Sequence, residues 1–378
     1  MSEIESMPDV AGVPKTKKGG FFILDLNVVD DMVRKGAGAK EVATYLVMVR
    51  GGGKKEVSTH GANSVSNRIG MTHYQAEKAL AWLAEEGYIV AAEPYEGVVK
   101  KRQVRWRVVA FQDSLEVPLA NALLDGIGKG KDNPPLARIF EQVRMSNHCV
   151  FADARLDCIM VLLHFYRHHL LAECGGVDPR AGIYRSWVAT ENSDGNKVLD
   201  IEGTRLSLHE IEGREDVMQL KLAEESLFYI SESEERNLRF WDAFHNLRNL
   251  GFIYEVVQVW SADPITHKRA EPLYTLYVRD YHARQTEPYL QTQIHKLALR
   301  LRYLDPHTEF SHIGRGEEIP DEFANILDSG KFRFIAPTKT GGFPIGIYRL
   351  RFRPGTRDTS IGIREENLRV AQWSKRLE

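Results

Sequence analysis

The sequence predicts an α+β fold: two units, each of three helices and a returning pair of strands, followed by a smaller α/β C-terminal region. Three observations carry this expectation. An apolar stripe at three- and four-residue spacing, Ala76, Ala79, Leu80 and Leu83, leads into Gly87. Soon afterwards basic and apolar residues alternate from Lys100 to Val108, as they do on a strand with one wet and one dry face. The stripe then recurs before Gly251, with Phe240, Ala243, Phe244 and Leu247 at the same spacing.

The global numbers bound the reading. A chain of 378 residues has room for two or three domains, each with its own core. Residues 1–19 read as a disordered tail. No apolar run is long enough for a signal peptide or a membrane span, so the expected location is the cytoplasm, without a membrane partner. Cys149, Cys158 and Cys174 are odd in number and never spaced C-x-x-C. That argues against a disulfide framework or a Cys-rich zinc site, and for free, buried thiols. A net charge of −2 gives no overall pull toward nucleic acid, so the distribution of charge becomes the informative quantity. Between Val98 and Val109 stand Lys100, Lys101, Arg102, Arg105 and Arg107 with no acidic residue among them.

In the first unit, Lys40–Arg50 forms the opening helix, with Val42, Ala43, Leu46 and Val49 on its buried side and Gly51, Gly52 and Gly53 ending it. Ser64–Ile69 is a short second helix, and only Gly70 and Met71 separate it from the next cap. His73–Glu86 is the third, with Thr72 as N-cap and Gly87 as its stop. Two helices joined by so tight a turn make a helix-turn-helix. Tyr88–Ala92 then reads as a strand, Glu93–Gly97 as a turn and Val98–Val109 as the returning strand, which completes a winged helix over residues 20–110.

The segment IGMTHYQAEKALAWLAEEGYI resembles the recognition-helix region of winged-helix DNA-binding proteins, with its short turn, Ala-Leu-x-x-Leu core and Gly-aromatic-Ile exit. The resemblance implies that the exposed start of the third helix enters the major groove, presenting Thr72, His73, Tyr74, Gln75 and Lys78. Gln75 would be the bidentate partner of an adenine. Lys100, Lys101 and Arg102 on the wing, with Arg105 on the same strand, would reach phosphates. Glu77 departs from the pattern, since a carboxylate is uncomfortable near DNA. Winged helices also serve as protein-interaction modules, and a basic strand is often only a solvated sheet face.

The second unit spans 114–280 and contains an insertion. Its first helix is expected at Arg155–Glu173, its third before Gly251, with Phe252-Ile253 falling on Tyr88-Ile89. Val256–Trp260 and Leu273–Arg279 form a second hairpin whose tip carries His267, Lys268 and Arg269. These three and Arg239 are the unit's candidate DNA contacts. The entries to the units also echo each other, in LDLNVVDD from Leu24 and VPLANALLDG from Val117. Duplication is the simplest reading; chance agreement stays open, because Leu-rich helices ending at Gly are common. The long stretch Gly175–Leu227 is expected to hold its own hairpin, Ile183–Thr190 with Lys197–Ile201 across a turn at Asn192–Asn196.

Residues 284–378 read as a separate C-terminal region: a basic amphipathic helix over Pro288–Leu304, strands at Phe332–Ala336 and Gly346–Phe352, and a closing helix over Arg364–Leu377. Two roles are open to it: self-association as a homodimer, or contact with a partner protein.

Catalytic constellations fail on inspection. GGGKKE at Gly51 and GIGKGKD at Gly126 lack the Gly-x4-Gly-Lys-Ser/Thr form of a phosphate loop. His164 and His168 share a helix face without an HExxH glutamate or a third ligand, and no Gly-x-Ser-x-Gly elbow occurs. The expectation is therefore a protein that is not an enzyme, with no catalytic residue, no metal and no cofactor. Two unequal winged helix-turn-helix domains in tandem, without an ATPase domain, look like the replication initiators of plasmids and integrated mobile elements. That resemblance implies double-stranded DNA, gripped at successive major grooves, and host replication proteins as partners. A transcriptional regulator with the same DNA-reading apparatus, and a non-enzymatic protein-interaction module of a larger assembly, are the alternatives.

Overall fold

A computed structural model describes residues 20–53, 57–92, 105–109, 114–126, 134–143, 153–181, 184–186, 189–191, 197–200, 234–279, 290, 294, 333–335 and 343–376. The protein is α+β. The expected tail at 1–19, the turn at 93–97, nearly all of the helix expected at 288–304, and all of 201–233 lie outside the described residues.

Strand β1 (Phe21–Asp25) leads into α1 (Leu26–Arg34), where Asp25 Oδ1 accepts the Asn27 N–H at 3.0 Å as an N-cap. Helix α2 (Ala39–Gly52) buries Val42, Ala43 and Leu46 and runs past Arg50 to Gly53, whose φ of 51° ends it. The helix keeps Gly51 for a reason of space: a Cβ there would sit 2.3 Å from Ser58 Oγ. That opening admits strand β2 (Val57–Ser58), which the sequence pattern did not announce. Helices α3 (Ala62–Ile69) and α4 (His73–Glu85) follow, with Gly70 in the left-handed region between them at φ 75°. Ala76, Ala79, Leu80 and Leu83 are all buried, each apolar side chain of Leu size stabilising the fold by about 1.5–3 kcal/mol. Helix α4 closes with two hydrogen bonds around Gly87 (φ 79°): Tyr88 N–H to Leu83 O at 2.9 Å and Gly87 N–H to Ala84 O at 3.3 Å. Strands β3 (Ile89–Ala91) and β4 (Trp106–Val108) then complete an antiparallel sheet in the order β2-β4-β3.

The second half opens with β5 (Glu116–Ala120), which pairs antiparallel with β1 from Phe21 opposite Ala120 to Asp25 opposite Glu116. The two similar entry segments are thus partners of one another. Helices α5 (Ala122–Asp125), α6 (Pro135–Gln142) and α7 (Ala154–His168) follow. Helix α7 is shorter than the expected Arg155–Glu173. The chain turns extended at His169 so that β6 (His169–Leu170) can pair with β7 (Gly176–Val177), across the short α8 (Leu171–Cys174). The strand expected over Ile183–Thr190 is split: β8 (Arg185–Ser186) pairs elsewhere in the fold, and only β9 (Ala189–Glu191) pairs with β10 (Lys197–Asp200) as an inserted hairpin, Lys197 lying opposite Glu191. Helix α9 (Glu234–Asn249) buries Phe240, Ala243, Phe244 and Leu247 and ends as α4 does. Phe252 N–H bonds Leu247 O at 2.9 Å and Gly251 N–H bonds Arg248 O at 3.0 Å, with φ 74° at Gly251. Strands β11 (Ile253–Trp260) and β12 (Pro272–Arg279) form the expected hairpin.

One boundary differs from the sequence expectation. Beyond β13 (Arg333–Ile335), which pairs with β10, strand β14 (Phe343–Leu350) runs the whole length of β11 on the side away from β12. The sheet order is β12-β11-β14-β8, so residues 343–350 belong to the second half's sheet and not to a separate C-terminal region. The physical reason lies in β11, all eight of whose residues are buried: it needs a neighbour on each edge and cover on each face. Strand β14 stands to β11 as β4 stands to β3. Arg351 N–H bonds Phe252 O at 2.9 Å, as Val109 N–H bonds Tyr88 O at 3.0 Å, and β8 flanks β14 as β2 flanks β4.

The two faces of this sheet are covered differently. On one, Phe165 of α7 and Phe244 of α9 meet the ring of Tyr348 at 6.4 and 4.9 Å. On the other lies α10 (Arg357–Arg376), longer than the closing helix expected at Arg364–Leu377. Trp373 packs on Tyr274 at 4.9 Å, and Glu366 accepts hydrogen bonds from Thr275 and from the buried Arg349, which also donates to Gly175 O. Gly362 lets α10 approach the backbone of α8, since a Cβ would fall 2.6 Å from Ala172 N.

The halves share one apolar core, which includes Leu24, Leu46, Leu119, Leu163 and Phe244. Polar ties reinforce it. Asp153 caps α7 through Arg155 and Leu156 N–H at 3.1 and 3.3 Å, and its other oxygen accepts Ala39 N–H at the start of α2 at 3.0 Å. Asp125 accepts from Arg50 at 2.6 Å and from Arg68 at 3.4 Å. Cys158 and Cys174 are free and buried, and Cys149 lies outside the described residues. Among the described residues, no helix is long and apolar enough to cross a membrane.

Candidate nucleic-acid interface

With Ala76, Ala79, Leu80 and Leu83 turned inward, the helical period turns Thr72, His73, Tyr74, Glu77 and Lys78 outward on α4. Tyr74 is an aromatic side chain left 64% exposed. Lys78 Nζ sits 4.6 Å from its ring centroid, so the aromatic face and the ammonium form one amphipathic patch. His73 Nδ1 lies 3.6 Å from Glu77 Oε1, which draws the carboxylate that departed from the DNA-binding pattern toward its own helix neighbour. The turn beneath is fixed by Ser66 Oγ, which donates to Met71 O at 2.6 Å.

Gln75 is placed differently from the other four. Thr72 Oγ1 accepts the Gln75 N–H at 3.3 Å while Gln75 Oε1 accepts the Thr72 N–H at 3.1 Å, a reciprocal capping box. The side chain is half-buried, and the bidentate adenine contact expected of it needs the oxygen that the cap already holds. The exposed candidate groups at the start of α4 that the cap does not hold are therefore His73, Tyr74 and Lys78.

Beside α4, the small sheet presents Arg105, half-buried, and Arg107, exposed, with Val90 exposed at 42% next to them. Lys100, Lys101 and Arg102 lie outside the described residues. Arg107 was within reach of sequence reasoning, because the alternation that places Arg105 on one face places Arg107 there too. Arg50 and Arg68, by contrast, are both engaged by Asp125 from the second half.

In the second half the structure corrects one candidate. Arg239 is not on an open surface: its guanidinium grips Asp157 with Nε to Oδ2 at 2.9 Å and Nη2 to Oδ1 at 2.6 Å, and the two side chains are only 15% and 6% exposed. Burial pushes the Asp157 carboxyl above its ordinary value, and Arg239 opposes that shift. At the place corresponding to Lys78, α9 carries Asp242, half-buried; the exposed side chains among those described on α9 are His245 and Asn249.

The tip between β11 and β12 carries His267, Lys268 and Arg269 on the expected hairpin. Ser261 N–H bonds Glu271 O at 2.9 Å and Glu271 N–H bonds Ser261 Oγ at 3.0 Å, closing the loop. Inside it, Asp263 accepts from Ile265 N–H through Oδ1 and from His267 N–H through its backbone oxygen, both at 2.9 Å. This hydrogen-bonded frame holds His267, Lys268 and Arg269 exposed in a row.

The histidine pair considered as metal ligands also finds its place. His164 and His168 have ring centroids 4.6 Å apart on α7, and burial pushes the His164 imidazole down to about 3. Among the described residues, no group of three His, Cys, Asp or Glu side chains is arranged to hold a metal ion.

Comparison with known protein families, with curated proteins and with solved structures finds no match to this chain.

Proposed function

We propose that this chain binds double-stranded DNA sequence-specifically through winged-helix units, and that it serves as the replication initiator of a plasmid or mobile element. The observation that carries the reading is the start of α4, where a hydrogen-bonded turn and a capping box hold His73, Tyr74 and Lys78 outward on one rigid helix end. A helix presented in this way fits the major groove, where lysine meets guanine acceptors and an aromatic ring meets a thymine methyl. The element order α2, β2, α3, α4, β3, β4 and the sheet order β2-β4-β3 support the winged-helix reading of the first unit. Arg105 and Arg107 supply positive charge beside it. The second unit repeats the helix ending at Gly251 and the strand pairing beyond it, now with β14 as its returning strand. The ties through Asp153, Asp125 and the β1–β5 ribbon hold the units to one another, as a chain gripping extended sites requires.

The test is selection of bound fragments from the host element's own DNA, followed by footprinting. Iterated repeats of about 20 base pairs are the expected result for an initiator, and a single promoter palindrome would reassign the same apparatus to transcriptional regulation. Failure to retain any duplex at low salt would overturn DNA binding itself and favour a protein-interaction module.

A further inference from the structure

We infer that the two units divide the work on one duplex: the first reads bases through α4, while the second grips phosphates through the β11–β12 tip and leaves α9 out of the groove. The inference rests on the DNA-binding reading above and assigns the second unit's role within it.

Helix α9 matches α4 in its buried stripe and its ending, yet its side chains differ from those of α4 at the places of Gln75 and Lys78. Arg239 stands where α4 has Gln75, and its guanidinium is committed to Asp157 in a two-pronged contact that is nearly out of water. Moving Arg239 to a base edge would strand the Asp157 carboxylate in that setting, an unfavourable exchange for one hydrogen-bonded contact. Asp242 replaces Lys78, so a phosphate approaching there meets negative charge. Trp241, at the place of the exposed Glu77, is half-buried and packs on Phe240 and Phe244 at 5.1 and 5.3 Å, so this part of the helix surface is drawn into the core.

The tip has the complementary properties. Strand β11 corresponds to β3, the strand that leads into the first unit's wing, so the loop at its far end extends from the same place in the fold. Lys268 and Arg269, with His267 beside them, are exposed there on a loop whose backbone is already hydrogen-bonded, so little ordering entropy opposes contact. Exposed cations on a loop lack the groove-filling shape of a helix and make the salt-dependent, sequence-blind contacts typical of phosphate recognition.

The experiment uses the full chain and two duplexes, the selected site and a scrambled version, over a range of salt at pH 8. Lys268→Ala with Arg269→Ala should weaken both duplexes by the same factor and lower the magnitude of the log K against log salt slope by about 0.9 per lost contact. Asp242→Ala in α9, at the place of Lys78, should leave the preference for the selected site unchanged. The two tip side chains are exposed and Asp242 is half-buried, so circular dichroism should stay native for both variants. An unchanged slope and affinity in the tip variant, or a loss of preference for the selected site in the α9 variant, would overturn the division of work while DNA binding stood. Absence of wild-type binding to either duplex at low salt would overturn both.

Discussion

Arg107 and Arg349 occupy corresponding places in two related sheets. Each lies one residue before the strand position that faces the first residue of the preceding strand: Val108 opposite Ile89, Leu350 opposite Ile253. Arg107 is exposed, whereas Arg349 is fully buried and bonded to Glu366 of α10. The inward faces agree, with Ile89 and Ile253 both at 0% exposure, so the difference lies wholly in what covers the outer face. One construction has thus been put to two uses: a sheet open on one side beside an exposed helix, and a sheet covered on both sides that serves as core. An open, charged sheet is suited to a ligand; a covered one is suited to holding its neighbours in place.

The largest effect should come from breaking the covered side. Glu366→Ala strands the Arg349 guanidinium in the interior and should cost about 3–5 kcal/mol in denaturant unfolding, whereas Arg107→Ala should stay within about 0.5 kcal/mol. Comparable losses from the two would end the comparison. The next effect is a pH dependence that is larger in the second half: burial lowers the imidazole of His60 in the first half too, but His164 lies inside the core and is pushed down to about 3. His164 is held neutral, well below its ordinary value near 6.5, so the stability it contributes is present above that value and is lost as pH falls from there toward 3. At pH 5 the loss should be about 2 kcal/mol relative to pH 7. Comparison of unfolding midpoints at the two pH values, for the wild type and for His164→Leu, isolates it; equal pH slopes would show that His164 is not held neutral.

Smaller effects sharpen what the halves have in common. Gly87 and Gly251 adopt φ 79° and 74° and close their helices with the same pair of hydrogen bonds, so alanine at either should cost about 1 kcal/mol. Only Gly251 has a close neighbour, Arg351 Nη1 at 3.2 Å from the added Cβ, and any excess should fall there. Thr72→Ala, which removes half of the capping box, should also cost about 1 kcal/mol by thermal or denaturant unfolding.

Local signals were legible in the sequence, and distant ones were not. The stripe Ala76 to Leu83, the cap at Thr72, the stops at Gly87 and Gly251 and the second strand of the inserted hairpin, expected at Lys197–Ile201, all follow from spacing and from residue type within one element. The place of β14 does not, because Phe343–Leu350 reads as an ordinary strand and nothing local says that its partner is β11, about ninety residues earlier. Site residues divided along the same line. The exposure of Tyr74, Lys78 and the 267–269 tip follows from period and turn chemistry. The capture of Arg239 by Asp157, 82 residues away, and of Arg50 and Arg68 by Asp125 depends on which helices meet, which only the folded chain decides. Gln75 is the instructive middle case: its place three residues after Thr72 is itself a capping-box signature, and that local role competes with the base-reading one.

The account turns on whether the exposed start of α4 reads sequence. The direct measurement is the affinity of Tyr74→Ala with Lys78→Ala, in the full chain, for the selected duplex and for its scrambled counterpart. The account predicts a loss of about 1–3 kcal/mol on the selected site, little change on the scrambled one and native circular dichroism, since neither side chain belongs to the buried stripe. An equal loss on both duplexes, or none on either, from a folded variant would contradict it.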